Sequence, residues 1–291
     1  MRTLVTGADG FVGRHAVERL HAADIETVAF AGDVRDADAC LAQVRAVRPD
    51  AILHLAAIAS VADAWRTPDA VTAVNVGGTR NLLEAVADAA PDARFVHVSS
   101  AEVYGAVAEG EQPIDEDTPT RPTSPYAMSK LEAESVARGS ELDTAIARPF
   151  PHIGPGQDER FAIASFASQI AAIERGATPI LRVGNLDARR DLSDVRSVVD
   201  AYLALLGAIG LAGPYNVCTG RAHRIGDVLH TLLGFSEREI EVVPDPERLR
   251  PADIPLLLGS PARIERELGW RAERPLEQTL LDVLTYFRSR S

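Results

Sequence analysis

The sequence predicts an α/β protein built on a doubly wound parallel sheet, and two observations carry that expectation. Short apolar runs at TLVT (3–6), ETVAF (26–30), AILHLA (51–56), ARFVHVS (93–99) and TAIARPF (144–150) alternate with amphipathic stretches long enough for helices. Apolar strands separated by helical crossovers form parallel βαβ units whose sheet is covered on both faces. The first run is followed at once by TGADGFVG, which sets Gly7, Gly10 and Gly13 between a strand and a helix. Glycine there permits a tight turn, lets backbone N–H groups approach a pyrophosphate, and lets the helix pack closely on the strand.

Taken in order, helices are expected at about Phe11–His21, Ala37–Val47, Pro68–Ala90 and Tyr126–Gly139, with a polar, proline-bearing loop over 106–123. After Phe150 the rhythm changes. RFAIASFASQIAAIERG (160–176) reads as one helix, PILRVG (179–184) as a short strand and VRSVVDAYLALLG (195–207) as another helix. PYNVC (214–218) reads as a strand returning to the main sheet. From Arg221 onward short helices mix with proline-rich turns, and a last helix from Leu276 repeats Leu280, Val283, Leu284 and Phe287 on one face. The expected organisation is a Rossmann-type dinucleotide-binding domain over 1–150, with 194–218 returning to it, and a smaller substrate-binding domain made of 151–193 and 219–291.

The chain has 291 residues, 46% of them hydrophobic, enough for a main domain with a smaller one appended. A formal net charge of −12 argues against nucleic acid or an anionic membrane as partner, so a phosphate-bearing ligand needs local arginines. Cys40 and Cys218 lie far apart without metal-ligand spacing, so no metal is expected and a reducing cytoplasm is the expected location. No apolar run reaches the ~18 residues of a membrane span, and MRTLVTG enters a strand directly, so no signal peptide is expected.

SSAEVYG (99–105) closes the fourth apolar run, at the end of the sheet where open α/β folds bind their ligands. Tyr126 and Lys130 are four residues apart and share one helical face. The glycine spacing, together with HLAA (54–57), NVGGTRNLLEA (75–85), YAMSK (126–130) and RPF (148–150), resembles the extended branch of the short-chain dehydrogenase/reductases. That resemblance implies NAD or NADP as hydride carrier, bound by Gly7, Gly10, Phe11, Val12, Gly13, Arg14, Asp33, Val34, Leu55, Ala56, Ala57, Asn75, Ser99, Tyr126 and Lys130. It also implies that the Lys130 ammonium depresses the Tyr126 pKa, that the phenol exchanges a proton with a carbonyl or alkoxide, and that Ser100 hydrogen-bonds the same oxygen. PHIGPGQ (151–157), VGNLDARRDLSDV (183–195), YNVCTG (215–220) and RLRPADIPLLLGS (248–260) narrow the likeness to the GDP-sugar group, which includes GDP-mannose 4,6-dehydratases and GDP-4-keto-6-deoxy-D-mannose reductases. By that likeness Arg190 and Arg250 clamp the substrate diphosphate and Asn185 lies near the nucleoside.

Within that group Ala101 is informative. Dehydration needs a base for the C5 proton and an acid for the C6 hydroxyl, and dehydratases end this strand in Thr-Asp-Glu or Thr-Ser-Glu. Here Ser100 and Glu102 are kept, but Ala101 can donate nothing. The complete set is one for hydride transfer at a carbon–oxygen bond, so the expectation is a 4-ketoreductase of a nucleotide-linked 4-keto-6-deoxyhexose. A nucleotide-sugar 4-epimerase, a dehydratase using Glu102 as base, and a nucleotide-sensing protein without turnover stay open. Pro151 stands where relatives carry a sugar-binding asparagine. Relatives have two strands between Gly13 and DVRD (33–36), where only one fits here, so Asp33 reads either as a ribose ligand favouring NAD or as a contact to adenine. Arg14 and Arg35 could instead take a 2′-phosphate, which leaves NADH and NADPH both open. A homodimer is expected from the helices at 68–90 and 126–139, because Val71, Val74, Leu82 and Val86 give more apolar surface than the sheet should need.

Overall fold

The computed structural model describes residues 1–248 and 254–290. Its first half runs β1 (Arg2–Thr6), α1 (Phe11–Ala22), β2 (Glu26–Ala29), α2 (Ala37–Val47), β3 (Ala51–His54), α3 (Val61–Arg66) and α4 (Pro68–Thr72). A π-helical turn (Ala73–Gly77) then leads into α5 (Gly78–Ala89), β4 (Arg94–Val98), α6 (Pro125–Arg138) and β5 (Thr144–Pro149). The second half contains β6 (His152–Ile153), α7 (Ala162–Glu174), β7 (Ile180–Val183), β8 (Arg189–Asp191), β9 (Ser193–Asp194), α8 (Val195–Gly207) and β10 (Gly213–Val217). It ends with β11 (Ala222–Arg224), α9 (Ile225–Gly234), β12 (Glu241–Pro244), β13 (Leu256–Leu257), α10 (Ala262–Leu268) and α11 (Leu276–Ser289).

Six parallel strands form the main sheet in the order β10-β5-β4-β3-β1-β2, the expected doubly wound architecture. The chain leaves β1 toward β2 at one edge and returns to β3 on the other side of β1. That reversal opens a crevice beyond the carboxyl ends of β1 and β3, where a ligand binds in this architecture. One face of the sheet packs on α1 and α8 through Val5, Leu53, Val96, Val198, Tyr202 and Leu205. The other packs on α2 and α5 through Leu4, Val44, Ile52, Leu82, Val86 and Phe95. A separate core of α7, α9 and α11 buries Phe166, Ile170, Leu229, Leu232, Leu284 and Phe287.

Strand β10 pairs in parallel with β5, and α8 lies on the sheet. A second return follows it. Ile264 of α10 and Trp270 join the core of the main sheet, and the Trp270 indole donates to the Ser197 carbonyl at 3.0 Å. This stretch, expected in the substrate half, is drawn back because its apolar side chains and a long indole find their cover on α8.

Two element boundaries differ from the expectation. The helix anticipated over Pro68–Ala90 is preceded by α3 and interrupted by the π turn, because Asn75 must face two neighbours at once. Strand β3 ends at His54, since the next two amides, of Leu55 and Ala56, turn to the Thr6 hydroxyl at 3.1 Å each. Only one strand, β2, lies between Gly13 and Asp33, and it forms the sheet edge. The turn after β2 therefore leads directly into DVRD (33–36).

Candidate active site

The glycine turn is built by backbone proximity. Gly7 has φ +67°, and a β-carbon there would lie 2.9 Å from the Ala56 nitrogen. At Gly13 a β-carbon would lie 2.1 Å from the Gly7 oxygen, so both positions exclude a side chain. Gly10 differs. It is the N-cap of α1, no side chain caps the first turn, and within 4 Å an added β-carbon would meet only the Gly7 oxygen, at 3.1 Å. The helix thus presents uncapped amides to open space, the arrangement that receives a phosphate anion. On this ground the chain fits a dinucleotide. The pyrophosphate would take the first-turn amides of Phe11 and Val12, and Leu55, Ala56 and Ala57 would form the adjoining wall.

Other residues expected at the cofactor have distinct placements. The Asp33 carboxylate receives Arg35 Nε at 2.9 Å and Nη2 at 2.5 Å, and that pairing holds it at about 2. Val34 fills the notch left by Gly78, whose β-carbon would come 2.5 Å from it. Arg14 reaches away from the β2 edge, donating to the carbonyls of Asp9 at 2.6 Å and Gly156 at 3.2 Å. Asn75 acts as a clamp. Its amide nitrogen donates to Ser129 Oγ at 2.9 Å and to the Ile58 carbonyl at 3.2 Å, and its oxygen accepts from the Ile58 amide at 2.8 Å. Ser129 in turn donates to the Tyr126 carbonyl at 2.8 Å, so the clamp joins the loop after β3 to the helix of Tyr126 and Lys130.

Ser124 and Pro125 determine where that helix begins. The Ser124 hydroxyl accepts from the Ala127 amide at 3.1 Å, and Pro125 occupies the first helical position. Tyr126 and Lys130 follow on the buried face, 8% and 5% exposed. Lys130 Nζ donates to the Val98 carbonyl at 2.9 Å, at the end of β4, and burial lowers its pKa to about 8 against a partial pull upward by Glu134. Burial pushes the Tyr126 phenol up to about 12. The Ser100 hydroxyl, hydrogen-bonded to it, works downward and the Glu102 charge works upward. The expected depression of the tyrosine by the lysine is therefore not what this geometry produces: the ammonium is engaged by Val98, and burial prevails. Ser100, Glu102 and Tyr126 do converge, with Ser100 also capping the short turn Ala101–Tyr104 by accepting from the Glu102 amide at 3.2 Å. The Ala101 methyl is 1% exposed and packs with Val103, Tyr104, Ile114, Phe150, Cys218 and Leu257.

Beneath these groups lies a polar network that the sequence reading missed. Glu134, fully buried, accepts from Arg148 Nε at 2.8 Å and Nη2 at 2.7 Å, from Ser99 Oγ at 2.6 Å and from Arg138 at 2.6 Å. Arg148 also donates to the Tyr104 hydroxyl at 2.9 Å, which donates to Asn216 Oδ1 of β10 at 2.7 Å. The signal was present, because an arginine inside the apolar strand TAIARPF requires a buried counter-ion. A second missed chain starts at Thr6, whose hydroxyl bonds His54 Nδ1 at 2.7 Å. His54 Nε2 then bonds Thr79 Oγ1 at 3.0 Å, and Thr79 donates to the Asn75 carbonyl at 2.6 Å. Burial lowers the His54 pKa to about 3, so it serves as a neutral spacer.

The substrate half is less concentrated. Arg190 on β8 donates through Nη1 to the Ile254 carbonyl at 2.6 Å, and Asn185 lies in the exposed loop after β7, where its oxygen accepts from the Asp187 amide at 2.9 Å. Arg250 lies outside the described residues. Among the described residues no group of three or more histidines, cysteines, aspartates or glutamates could hold a metal ion, and no helix is long and apolar enough to cross a membrane.

The sequence model of GDP-mannose 4,6 dehydratase matches residues 24–283. The chain belongs to the GDP-mannose 4,6-dehydratase family. Among members with an assigned activity, it is 39% identical to GDP-6-deoxy-D-mannose reductase of Pseudomonas aeruginosa, over 99% of this chain and 98% of that protein. Its fold is similar to the structure of RMD from Pseudomonas aeruginosa complexed with NADPH, with a TM-score of 0.92, 38% identity, and coverage of 100% of this chain and 99% of that one. The UDP-glucose 4-epimerase of Thermus thermophilus, solved with NAD, is similar at a TM-score of 0.88 and 30% identity over 100% of both chains. The family thus includes both nicotinamide dinucleotides among its neighbours.

Removing the Glu134 charge tests whether the buried network holds the site. Glu134→Gln leaves Arg148 without its counter-ion, and the expected loss is about 3–5 kcal/mol of unfolding free energy. Urea denaturation measures it, and a loss below about 1 kcal/mol would show that Tyr104 and Asn216 satisfy Arg148 by themselves.

Proposed function

We propose that this protein is an NAD(P)H-dependent reductase of a nucleotide-linked 4-keto-6-deoxyhexose, converting GDP-4-keto-6-deoxy-D-mannose to GDP-D-rhamnose. The observation that carries the reading is the end of β4. Ser100 stands beside a phenol kept protonated by burial, while position 101 offers only a buried methyl. The Pseudomonas aeruginosa relative supports the same product, since GDP-6-deoxy-D-mannose is another name for GDP-D-rhamnose.

The bound reduced nicotinamide would supply a hydride to C4. The chain's own groups handle the oxygen. Tyr126 donates its proton to that oxygen as negative charge builds on it, and Ser100 hydrogen-bonds the same atom. A phenol raised to about 12 starts as the acid, which suits reduction; oxidation needs the phenolate first. Glu102 favours the protonated phenol, because its charge opposes ionisation of Tyr126. Lys130 supplies positive charge one turn along the helix, held against Val98. In the second half, Arg190 and Arg250 take the substrate diphosphate, and Asn185 lies toward the nucleoside. The protein is placed in the cytoplasm, in keeping with two buried, unpaired cysteines.

The deciding experiment supplies GDP-4-keto-6-deoxy-D-mannose with NADPH or NADH and follows cofactor oxidation and product by NMR. One cofactor oxidised per sugar reduced is expected. Turnover on catalytic traces of NAD would indicate a 4-epimerase. In the companion reaction GDP-mannose with NAD(P) is expected to stay unchanged, and its conversion at ordinary enzymatic rates would replace this reading with a dehydratase.

Tyr126→Phe is expected to lower kcat by ~10²–10⁴-fold, the contribution of a positioned proton donor, while cofactor affinity by fluorescence titration stays near wild type. The wild-type kcat/KM should be flat at neutral pH and fall as pH rises through about 8, where Lys130 loses its charge while Tyr126, at about 12, keeps its proton. A profile flat to pH 10 would remove the lysine charge from the mechanism.

A homodimer is proposed as well, on different ground from the apolar repeat of the long helix. Val71, Leu82 and Val86 are fully buried within the subunit and offer nothing to a partner. The outer faces of α3 and α6 instead expose Trp65 at 64% and Met128 at 58%. Sedimentation at micromolar concentration should give a dimer that Met128→Glu dissociates, and a wild-type monomer would dismiss it.

A further inference from the structure

Residues 154–161, between β6 and α7, cross from one wall of the switch-point crevice to the other. On the β1 side, Arg14 of α1 donates to the Gly156 carbonyl at 3.2 Å and to the Asp9 carbonyl of the glycine turn at 2.6 Å. His15 bonds the Pro155 carbonyl at 2.9 Å, and the His152 ring stacks on Phe11 at 6.1 Å with a 7° tilt. On the β3 side, Arg160 Nη1 meets Asp63 Oδ2 of α3 at 2.7 Å. Helix α1 leaves β1 and α3 follows β3, and the crevice of the dinucleotide lies between them.

We propose that this segment is a strap across the mouth of the cofactor crevice, that the Arg160–Asp63 ion pair is its latch, and that the latch opens in each catalytic cycle to exchange oxidised for reduced dinucleotide. The inference rests on the reductase reading in one respect: a reductase must release its cofactor every turnover, so a cover there has to be reversible.

The construction suits a cover that moves. Gly156 holds φ +88°, and Gly154 packs so tightly that a β-carbon would meet Val195 at 2.4 Å; these two positions define where the strap leaves the body of the protein. Beyond them Gln157 is buried and donates to the His152 carbonyl at 2.9 Å, while Asp158, Glu159 and Arg160 are exposed. A cavity of about 800 Å³ lies between it, α1 and the α11 end, lined by Phe11, His15, Phe161, Tyr286 and Arg290. The latch itself is solvent-screened, with Arg160 62% and Asp63 34% exposed, and Asp158 preorients the guanidinium by accepting from Arg160 Nε at 3.0 Å. Such a pair biases closure without locking it. Neither latch residue forms part of the catalytic set, and the helical cap beside Asp63 uses its backbone amide on Ser60 Oγ, leaving the carboxylate to Arg160 and, at 4.0 Å, Arg66.

The test is NADPH release from the sugar-free protein, followed by stopped-flow fluorescence on displacement with excess NADP. Arg160→Gln and Asp63→Asn should each speed release roughly two- to five-fold, the range a single exposed pair supports. Arg160→Asp and Asp63→Arg should each do the same, and the two combined should return to within about two-fold of wild type. Added salt should speed wild-type release and leave the neutral variants unchanged. Release at the wild-type rate in all single variants, or no rescue in the reversed pair, would overturn the latch. Because no sugar is present, the outcome does not depend on turnover; stoichiometric cofactor consumption decides the reductase reading separately.

Discussion

The bidentate pair between Glu134 and Arg148 is the constraint on which the placement of Tyr126, Lys130 and Ser100 depends. Helix α6 carries Tyr126 and Lys130, yet its apolar face alone would permit small rotations and slides along the sheet. Glu134, one turn beyond Lys130, stops both by gripping a guanidinium rooted near the carboxyl end of β5. Glu134 also accepts from Arg138 and from Ser99, so the end of β4, where Ser100 begins the next turn, is tied to the same point. Tyr104 and Asn216 extend the tie to the other end of that turn and to β10. A buried ion pair adds little net stability over an apolar contact, because desolvation offsets attraction. What it supplies is direction: two parallel hydrogen bonds fix an angle as well as a distance.

The same logic appears on the cofactor side with neutral groups. Thr6, His54, Thr79 and Asn75 form a relay of hydrogen bonds from the end of β1 through β3 into the π turn. The π turn shifts helical phase just where Asn75 must reach both Ile58 and Ser129, which a continuous α-helix would not align. Such single-turn insertions recur at functional sites because they trade one regular hydrogen bond for a redirected side chain. The glycine turn, the wall after β3 and the catalytic helix are thereby joined as one rigid frame. The frame contrasts with the strap, which is anchored at few points.

How much of this was legible in the sequence follows from which residues act locally. The strand–glycine–helix junction was, because backbone stereochemistry alone demands Gly7 and Gly13. Tyr126 and Lys130 were, since four-residue spacing on a helix needs no tertiary knowledge. The π turn was not: apolar periodicity over 68–90 reads the same whether one residue is inserted or none. Val71, Leu82 and Val86 read as surplus surface in a linear sequence, which does not show that Leu82 and Val86 of α5 lie in the core under the sheet or that Val71 of α4 packs with Ala64 and Tyr126. Glu134 looked like one more helical acid, and only the arginine buried in the fifth strand, 14 residues later, gives it meaning.

The charge distribution explains how an acidic chain holds anionic ligands. With a net charge of −12 the overall field opposes a dinucleotide and a sugar nucleotide alike. Many of its arginines are committed to acids of the fold, as Arg35 is to Asp33, Arg148 to Glu134 and Arg196 to Asp194. A diphosphate bound at the glycine turn would therefore meet dipoles rather than side-chain charges, the uncapped amides at the start of α1. Fixed dipoles bring no counter-ion that must be displaced and no flexible chain that must be ordered. That arrangement leaves cationic side chains for the second half, where Arg190 extends from a short strand of the smaller sheet. The proposed reading thus assigns the cofactor to the rigid frame and the sugar nucleotide to separate strands and loops of the second half.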